Sequence, residues 1–271
     1  MTDQPDIRRN ILRERIAQGQ AIVNAWLSIP SSYSAEGLGH AGVHAATIDL
    51  QHGMIGLTDA LHMLQAISAT PAMPLVRVPS LDAALLMRVL DAGAYGVICP
   101  MISSAEQAAE LVHACRYPPT GSRSFGPARG LLYGGADYVA HANAEILVIP
   151  MIETVEAVRN IDAILAVEGV DMIYIGPNDM AFAFDGAVGA ERQKSEAAIA
   201  HVLARAQAAG IPAGIFCADG TDAARRVAQG FALVTPGNDF GLLTRALRSA
   251  VAETLRESGG GAAVAATGTG Y

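Results

Sequence analysis

Lysine is almost absent from this chain, which has one, Lys194, against 17 arginines. A Schiff-base enzyme needs a lysine that is desolvated and aimed at a carbonyl. Lys194 lies in the polar stretch GAERQKSEAA, among Glu191, Arg192, Gln193 and Glu196, which reads as a solvated helix start. Covalent imine and pyridoxal phosphate chemistry are therefore not expected. Aromatic residues are also scarce, at 5%, while hydrophobic residues reach 51%, so the core must be aliphatic and rich in alanine. No apolar run attains the roughly 18 residues of a membrane span. Positive charge is short as well: the formal net charge of −8 argues against a nucleic-acid-binding surface. The three cysteines, Cys99, Cys115 and Cys217, are far apart and show no metal-ligand spacing. Reduced, buried thiols in a cytoplasmic protein are the expectation. The opening MTDQPDIRRN has neither the apolar core nor the cleavage site of a signal peptide, which points the same way.

What the chain does have is rhythm. Eight short apolar runs occur in order: AIVNAWLSI (21–29), AATIDL (45–50), MPLVRV (73–78), YGVICPM (95–101), ILVIPMI (146–152), DMIYIG (171–176), IPAGIF (211–216) and FALVTP (231–236). Helical patterns fall between them at 57–68, 81–93, 104–116, 154–167, 195–210 and 221–230. Gly93, Gly210 and Gly230 each sit between a helix and a strand, as C-cap glycines do. A first helix is expected over 6–18, with Ile7, Ile11, Leu12 and Ile16 on one face. Eight strands alternating with helices over about 250 residues favour a single α/β domain, a (β/α)₈ TIM barrel with an N-terminal helix. Its bounds are expected at 1–256, with 257–271 (ESGGGAAVAATGTGY) as a flexible tail. The Gly-, Pro- and Arg-rich stretch 117–145 breaks the rhythm, and so long an irregular segment is usually functional or part of an oligomer contact.

Polar residues gather at the carboxyl ends of the runs. Asp49 and His52 follow the second, in IDLQHG; Arg77 lies in the third; Glu153 closes the fifth; Gly176-Pro177-Asn178-Asp179 follow the sixth. All would face one mouth of a barrel, where barrel enzymes do their chemistry. Glu153 and Asp179, from separate strands, can converge on a divalent cation such as Mg²⁺ or Mn²⁺, although each could instead cap the helix that follows it. Asp49 and His52 are three apart, close enough for the carboxylate to orient an imidazole acting as general base. The alternative is a histidine satisfied by local backbone. A guanidinium between Val76 and Val78 needs a partner, as a structural salt bridge or as a clamp on a developing oxyanion. Pro177 suits a first helical turn, whose exposed N–H groups can accept a substrate carboxylate.

At these residues the sequence resembles the HpcH/HpaI aldolase family, the class II pyruvate-dependent aldolases related to 2,4-dihydroxyhept-2-ene-1,7-dioate aldolase. The match runs from about residue 20 to about 250, on IDLQHG, VRVPS, LDAGAYGVICPM, RYPPTGSRSFGP, MIETVEAV, VEGVDMIYIGPNDMA and GIFC. The resemblance implies a metal-dependent carbon–carbon lyase that reversibly cleaves 2-oxo-4-hydroxy acids to pyruvate or hydroxypyruvate and an aldehyde, through a metal-stabilised enolate. It implies that Glu153 and Asp179 hold the cation (Mg²⁺, Mn²⁺ or Co²⁺), that Arg77 meets the enolate oxygen, and that Asp49 and His52 form the base. Gly176, Pro177 and Asn178 then hold the substrate carboxylate. It also implies a homo-oligomer, often a hexamer with exchange of the last helix between subunits. Two positions depart from the heptenedioate aldolases: Gln51 stands where they have Glu, and Met151 where they have Gln. Met151 cannot donate a hydrogen bond to a keto oxygen. Arg123 and Arg129 are expected either to recognise an acidic substrate tail or to hold an oligomer contact. The alternative enzyme is an acyl-CoA lyase of the citrate-lyase β or malyl-CoA type, but no basic cluster suited to coenzyme A phosphates is evident.

Overall fold

A computed structural model describes residues 8–186 and 192–257. Eight parallel strands close into a barrel in chain order: β1 (Ile22–Leu27), β2 (Ala45–Asp49), β3 (Met73–Arg77), β4 (Gly96–Cys99), β5 (Leu147–Ile152), β6 (Ile173–Ile175), β7 (Ala213–Phe216) and β8 (Leu233–Thr235). Helices wrap the outside: α2 (Ser32–Gly39), α3 (Leu57–Ser68), α4 (Ala83–Asp91), α5 (Ala105–Cys115), α8 (Val155–Arg159), α9 (Ile161–Leu165), α10 (Pro177–Asp185), α11 (Gln193–Ala209), α12 (Gly220–Gln229) and α13 (Asp239–Glu257). The fold is the expected TIM barrel.

Strand alternation sorts each run into two sets. Ala46, Ile48, Val76, Val97, Val148, Ile173, Ile215 and Val234 pack outward against the helices. Ile22, Trp26, Ala45, Met73, Leu75, Ile98, Leu147, Ile149, Met151 and Tyr174 fill the interior. The inward series 45, 47, 49 ends on Asp49, the series 73, 75, 77 on Arg77, and 147, 149, 151 leads to Glu153. A period of two therefore delivers these charges to the barrel axis at its C-terminal mouth. A buried polar layer lies among these aliphatic side chains: Thr47 Oγ1 donates to Asn24 Oδ1 (2.9 Å), Asn24 Nδ2 to Thr235 Oγ1 (2.9 Å) and the Tyr174 hydroxyl to Thr235 Oγ1 (2.8 Å). Each group is satisfied, so the layer need not cost stability.

The opposite end is closed by α1 (Ile11–Ala17). The helix begins later than expected because the Asn10 side chain caps it, accepting from the Leu12 N–H. Ile7 lies outside the described residues. The stretch 117–145 is more ordered than its composition suggests, and folds into α6 (Ala128–Gly134) and α7 (Tyr138–Glu145). Its arginines turn inward. Arg123, fully buried, donates to Asp91 (2.8 Å) and the Tyr138 hydroxyl (3.1 Å), and Arg129 to the Ala92 carbonyl and Ser68 Oγ. Both hold the chain to itself. The single helix expected over 154–167 is broken at Asn160, whose side chain donates to the Ser103 carbonyl. Gly210 and Gly230 cap α11 and α12 with positive φ, and Gly93 follows α4 in the same conformation. Helix α13 continues to Glu257, one residue past the expected boundary, and the rest of the tail, 258–271, lies outside the described residues.

Candidate active site

Asp49 and Arg77 are register partners on neighbouring strands, and their side chains form a two-pronged pair. Arg77 Nε donates to Asp49 Oδ1 at 2.8 Å and Nη2 to Oδ2 at 2.6 Å. Both are buried, Arg77 to 7% exposure and Asp49 to 2%. Asp49 also accepts from the Trp26 indole at 3.1 Å and from the main-chain N–H groups of Gln51 and His52. Burial alone would raise its pKa, but Arg77's hydrogen bonds and charge, with the Trp26 and His52 donors, hold the carboxyl below its ordinary value. Asp49 is thus a fixed anion.

Asp49 Oδ1 accepts the His52 main-chain N–H at 3.2 Å, while Arg77 grips both oxygens of the same carboxylate. His52 itself is exposed at the rim. What Asp49 organises is the turn that carries it.

Glu153 stands across the mouth, 2% exposed. Its Oε1 accepts the Met101 N–H at 2.8 Å. Met101 makes that bond from a left-handed conformation, φ 59°, which a non-glycine residue rarely adopts. Such strain concentrates at functional sites. Beside Glu153, Gly176 has no room for a side chain: a Cβ would run into Glu153 Oε2 and lie 2.7 Å from the Met151 methyl. Burial pushes the Glu153 carboxyl up to about 7, Asp179's negative charge adds to the rise, and the Met101 N–H and Arg77 charge oppose it.

Asp179 is exposed in the first turn of α10, which starts as expected at Gly176-Pro177 with no side-chain cap. Its free first-turn N–H groups and positive dipole end face the same mouth. The Asn178 side-chain oxygen accepts from Arg192 Nη2 at 2.9 Å.

Two hard-oxygen carboxylates that raise each other's energy suit a divalent cation. Neither Glu153 nor Asp179 is in a salt bridge among the described residues. No group of three His, Cys, Asp or Glu side chains able to hold a metal occurs among the described residues. A cation here would therefore keep positions for water or substrate, as Mg²⁺-type sites do. Apart from Glu153 and Asp179, the mouth holds a guanidinium and a helix N-terminus, which suit an anionic substrate.

The profile of the HpcH/HpaI aldolase/citrate lyase family matches residues 23–246. The chain belongs to this family. A hydroxypyruvate/pyruvate aldolase of Rhizorhabdus wittichii is 41% identical over 238 residues, 87% of this chain and 95% of the relative. A 5-keto-4-deoxy-D-glucarate aldolase of Shigella dysenteriae is 33% identical, covering 93% of this chain and 99% of the relative. Among solved structures, an HpcH/HpaI aldolase/citrate lyase family protein from Burkholderia cenocepacia superposes with a TM-score of 0.85 at 34% identity, covering 90% of this chain and 99% of that one. The present HpcH/HpaI member is accordingly an aldolase, a carbon–carbon lyase with small-molecule substrates. Among the described residues no helix is long and apolar enough to cross a membrane.

Sequence reasoning located Asp49, Arg77, Glu153 and the 176–179 turn, and the structure brings all of them to one mouth. It missed Met101, whose left-handed amide has no sequence signature, and Trp26. The signal for Trp26 was its inward parity with Ile22 and Asn24.

Proposed function

We propose that this family member is a divalent-cation-dependent aldolase that reversibly cleaves 2-oxo-4-hydroxy acids to pyruvate or hydroxypyruvate and an aldehyde. The observation that carries this reading is the juxtaposition of an uncompensated carboxylate pair, Glu153 and Asp179, with a buried, pre-positioned Arg77. The likeness to hydroxypyruvate/pyruvate aldolases supports the same donor class. A cation held by Glu153 and Asp179, whether Mg²⁺, Mn²⁺ or Co²⁺, would supply Lewis acidity toward the 2-oxo acid.

The chain's own groups do the rest. At the α10 N-terminus formed by Gly176, Pro177 and Asn178, the main-chain N–H groups of Asn178 and Asp179 bind the substrate carboxylate, the Gly176 N–H being given to the Ile152 carbonyl. Arg77 uses Nη1, the nitrogen not given to Asp49, to offset charge on the keto oxygen. His52, on the turn that Asp49 fixes, takes the C4 hydroxyl proton. The C3–C4 bond then breaks, its electron pair forms the C2–C3 double bond of the enolate, and the aldehyde leaves. Protonation at C3 releases the 2-oxo acid. Met151, buried where it offers no hydrogen-bond donor, leaves Arg77 as this chain's donor to the keto oxygen.

The test is proton NMR of pyruvate in D₂O with EDTA-stripped enzyme, before and after Mg²⁺, Mn²⁺ or Co²⁺ is restored. Cation-dependent loss of the methyl signal is expected. No exchange with any cation by folded enzyme would overturn the reading and direct assays to acyl-CoA substrates.

The same reading includes a homo-oligomer, with a hexamer the expected form. Phe240, Leu243, Leu247 and Val251, spaced along one face of α13, are 57%, 59%, 63% and 42% exposed, a stripe that favours a subunit contact. Three buried, free thiols fit a reducing, cytoplasmic setting.

A further inference from the structure

The Asp49–Arg77 pair is held from a third side by Trp26. The indole Nε1–H donates to Asp49 Oδ2 at 3.1 Å, and the ring lies 4.8 Å from the Arg77 guanidinium carbon. Trp26 is itself clamped at 4% exposure. Tyr174 stacks on it at 5.5 Å and 28°, and Phe216 meets it edge-on at 5.7 Å and 89°. Tyr174 is anchored in turn through Thr235 to Asn24 and Thr47, so the ring rests on a hydrogen-bonded layer that joins four strands. A leucine or methionine would fill part of this volume and supply neither contact. The indole supplies, from one rigid plane, a donor for the carboxylate and a π-face for the cation.

We infer that Trp26 is a positioning residue of the aldolase reaction, fixing the plane of the Arg77 guanidinium and hence the place of Nη1. The inference rests on the role given to Arg77 above. A two-pronged pair alone can tilt about its shared axis. The ring against one guanidinium face blocks that tilt, and the Nε1–H stops the carboxylate from turning. The substrate gains nothing in ground-state binding from this, so the effect belongs in kcat.

The experiment is a double-mutant cycle of Trp26→Phe and Arg77→Ala, read by cation-dependent pyruvate exchange and by aldol cleavage, with circular dichroism as the folding control. Trp26→Phe keeps a ring and loses the donor: kcat should fall about 10-fold with KM changed less than about twofold. In the Arg77→Ala background the same change should cost nothing further, because there is no guanidinium left to place. Trp26 is the only tryptophan, so Arg77→Ala should also shift its emission, a readout independent of activity. Losses that multiply in the double variant, a change confined to KM, or unaltered emission in Arg77→Ala would each overturn the inference while leaving the aldolase reading intact. Wild-type enzyme without exchange or cleavage would overturn that reading, and the positioning role with it.

Discussion

The two ends of the barrel treat charge in opposite ways. At the N-terminal end, among the described residues, buried charges are paired. Glu145 receives the Asn10 N–H and Arg9, while Arg13 and Arg116 share Asp171 and reach the Ile146 carbonyl. Leu12 seals the interior at 0% exposure. At the C-terminal mouth, Glu153 and Asp179 have no salt bridge among the described residues, Met101 is held left-handed, and His52 is exposed to solvent. One end is built for closure, and the other keeps local energy high where a cation and an anionic substrate can lower it. That division matches the general behaviour of barrel enzymes. It also means that stability and activity should respond to mutation at different ends.

The sharpest break in the comparison is Glu153→Gln. Exchange of the pyruvate methyl protons should fall on the order of 10³-fold, more than the 10–100-fold typical of a residue standing behind a metal ligand. In cation-free protein at pH 8 the same substitution should raise Tm, because it removes a like charge from Asp179. A lowered Tm in cation-free protein would show that the carboxylate is structural. Arg77→Ala should slow enolisation about 10²–10³-fold, as loss of an oxyanion donor does, and near-wild-type exchange would remove Arg77 from the mechanism.

Leu12→Ala tests the other end. Denaturant unfolding should show a loss of about 2–5 kcal/mol with kcat unchanged at a temperature where the variant is folded. A large fall in kcat would break the division between the two ends.

The smallest expected effect is in pH. The Glu153 carboxyl titrates near 7, so protons compete with the cation below that value. Affinity for Mn²⁺, followed by isothermal titration, should weaken about tenfold between pH 8 and pH 6. The sign for stability is the reverse. A carboxyl raised in the folded state contributes stability that is present below its unfolded value of 4.5 and is lost as pH rises through about 7. This contribution of Glu153 to cation-free protein therefore decreases across that window, and a saturating cation should abolish the decrease.

Much of this was legible in residue order. The alternation of apolar runs with helical patterns pointed to the barrel, because eight parallel strands alternating with helices over about 250 residues fit a closed sheet inside a helical ring better than an open one. The placement of Asp49, Arg77, Glu153 and Asp179 at strand ends determined which mouth would be polar, because strand parity and direction are local properties. Tertiary structure decided who pairs with whom. Asp49 took Arg77, its register partner, since neighbouring strands bring facing side chains together, and it also accepts the His52 main-chain N–H. Arg123 and Arg129 became internal tethers because Asp91, Tyr138, Ser68 and the Ala92 carbonyl reached them from elsewhere in the chain. Trp26 acquired its place beside the charged pair only when closure set Tyr174 and Phe216 around it, for the stacking of rings from three strands depends on barrel geometry that no single run encodes.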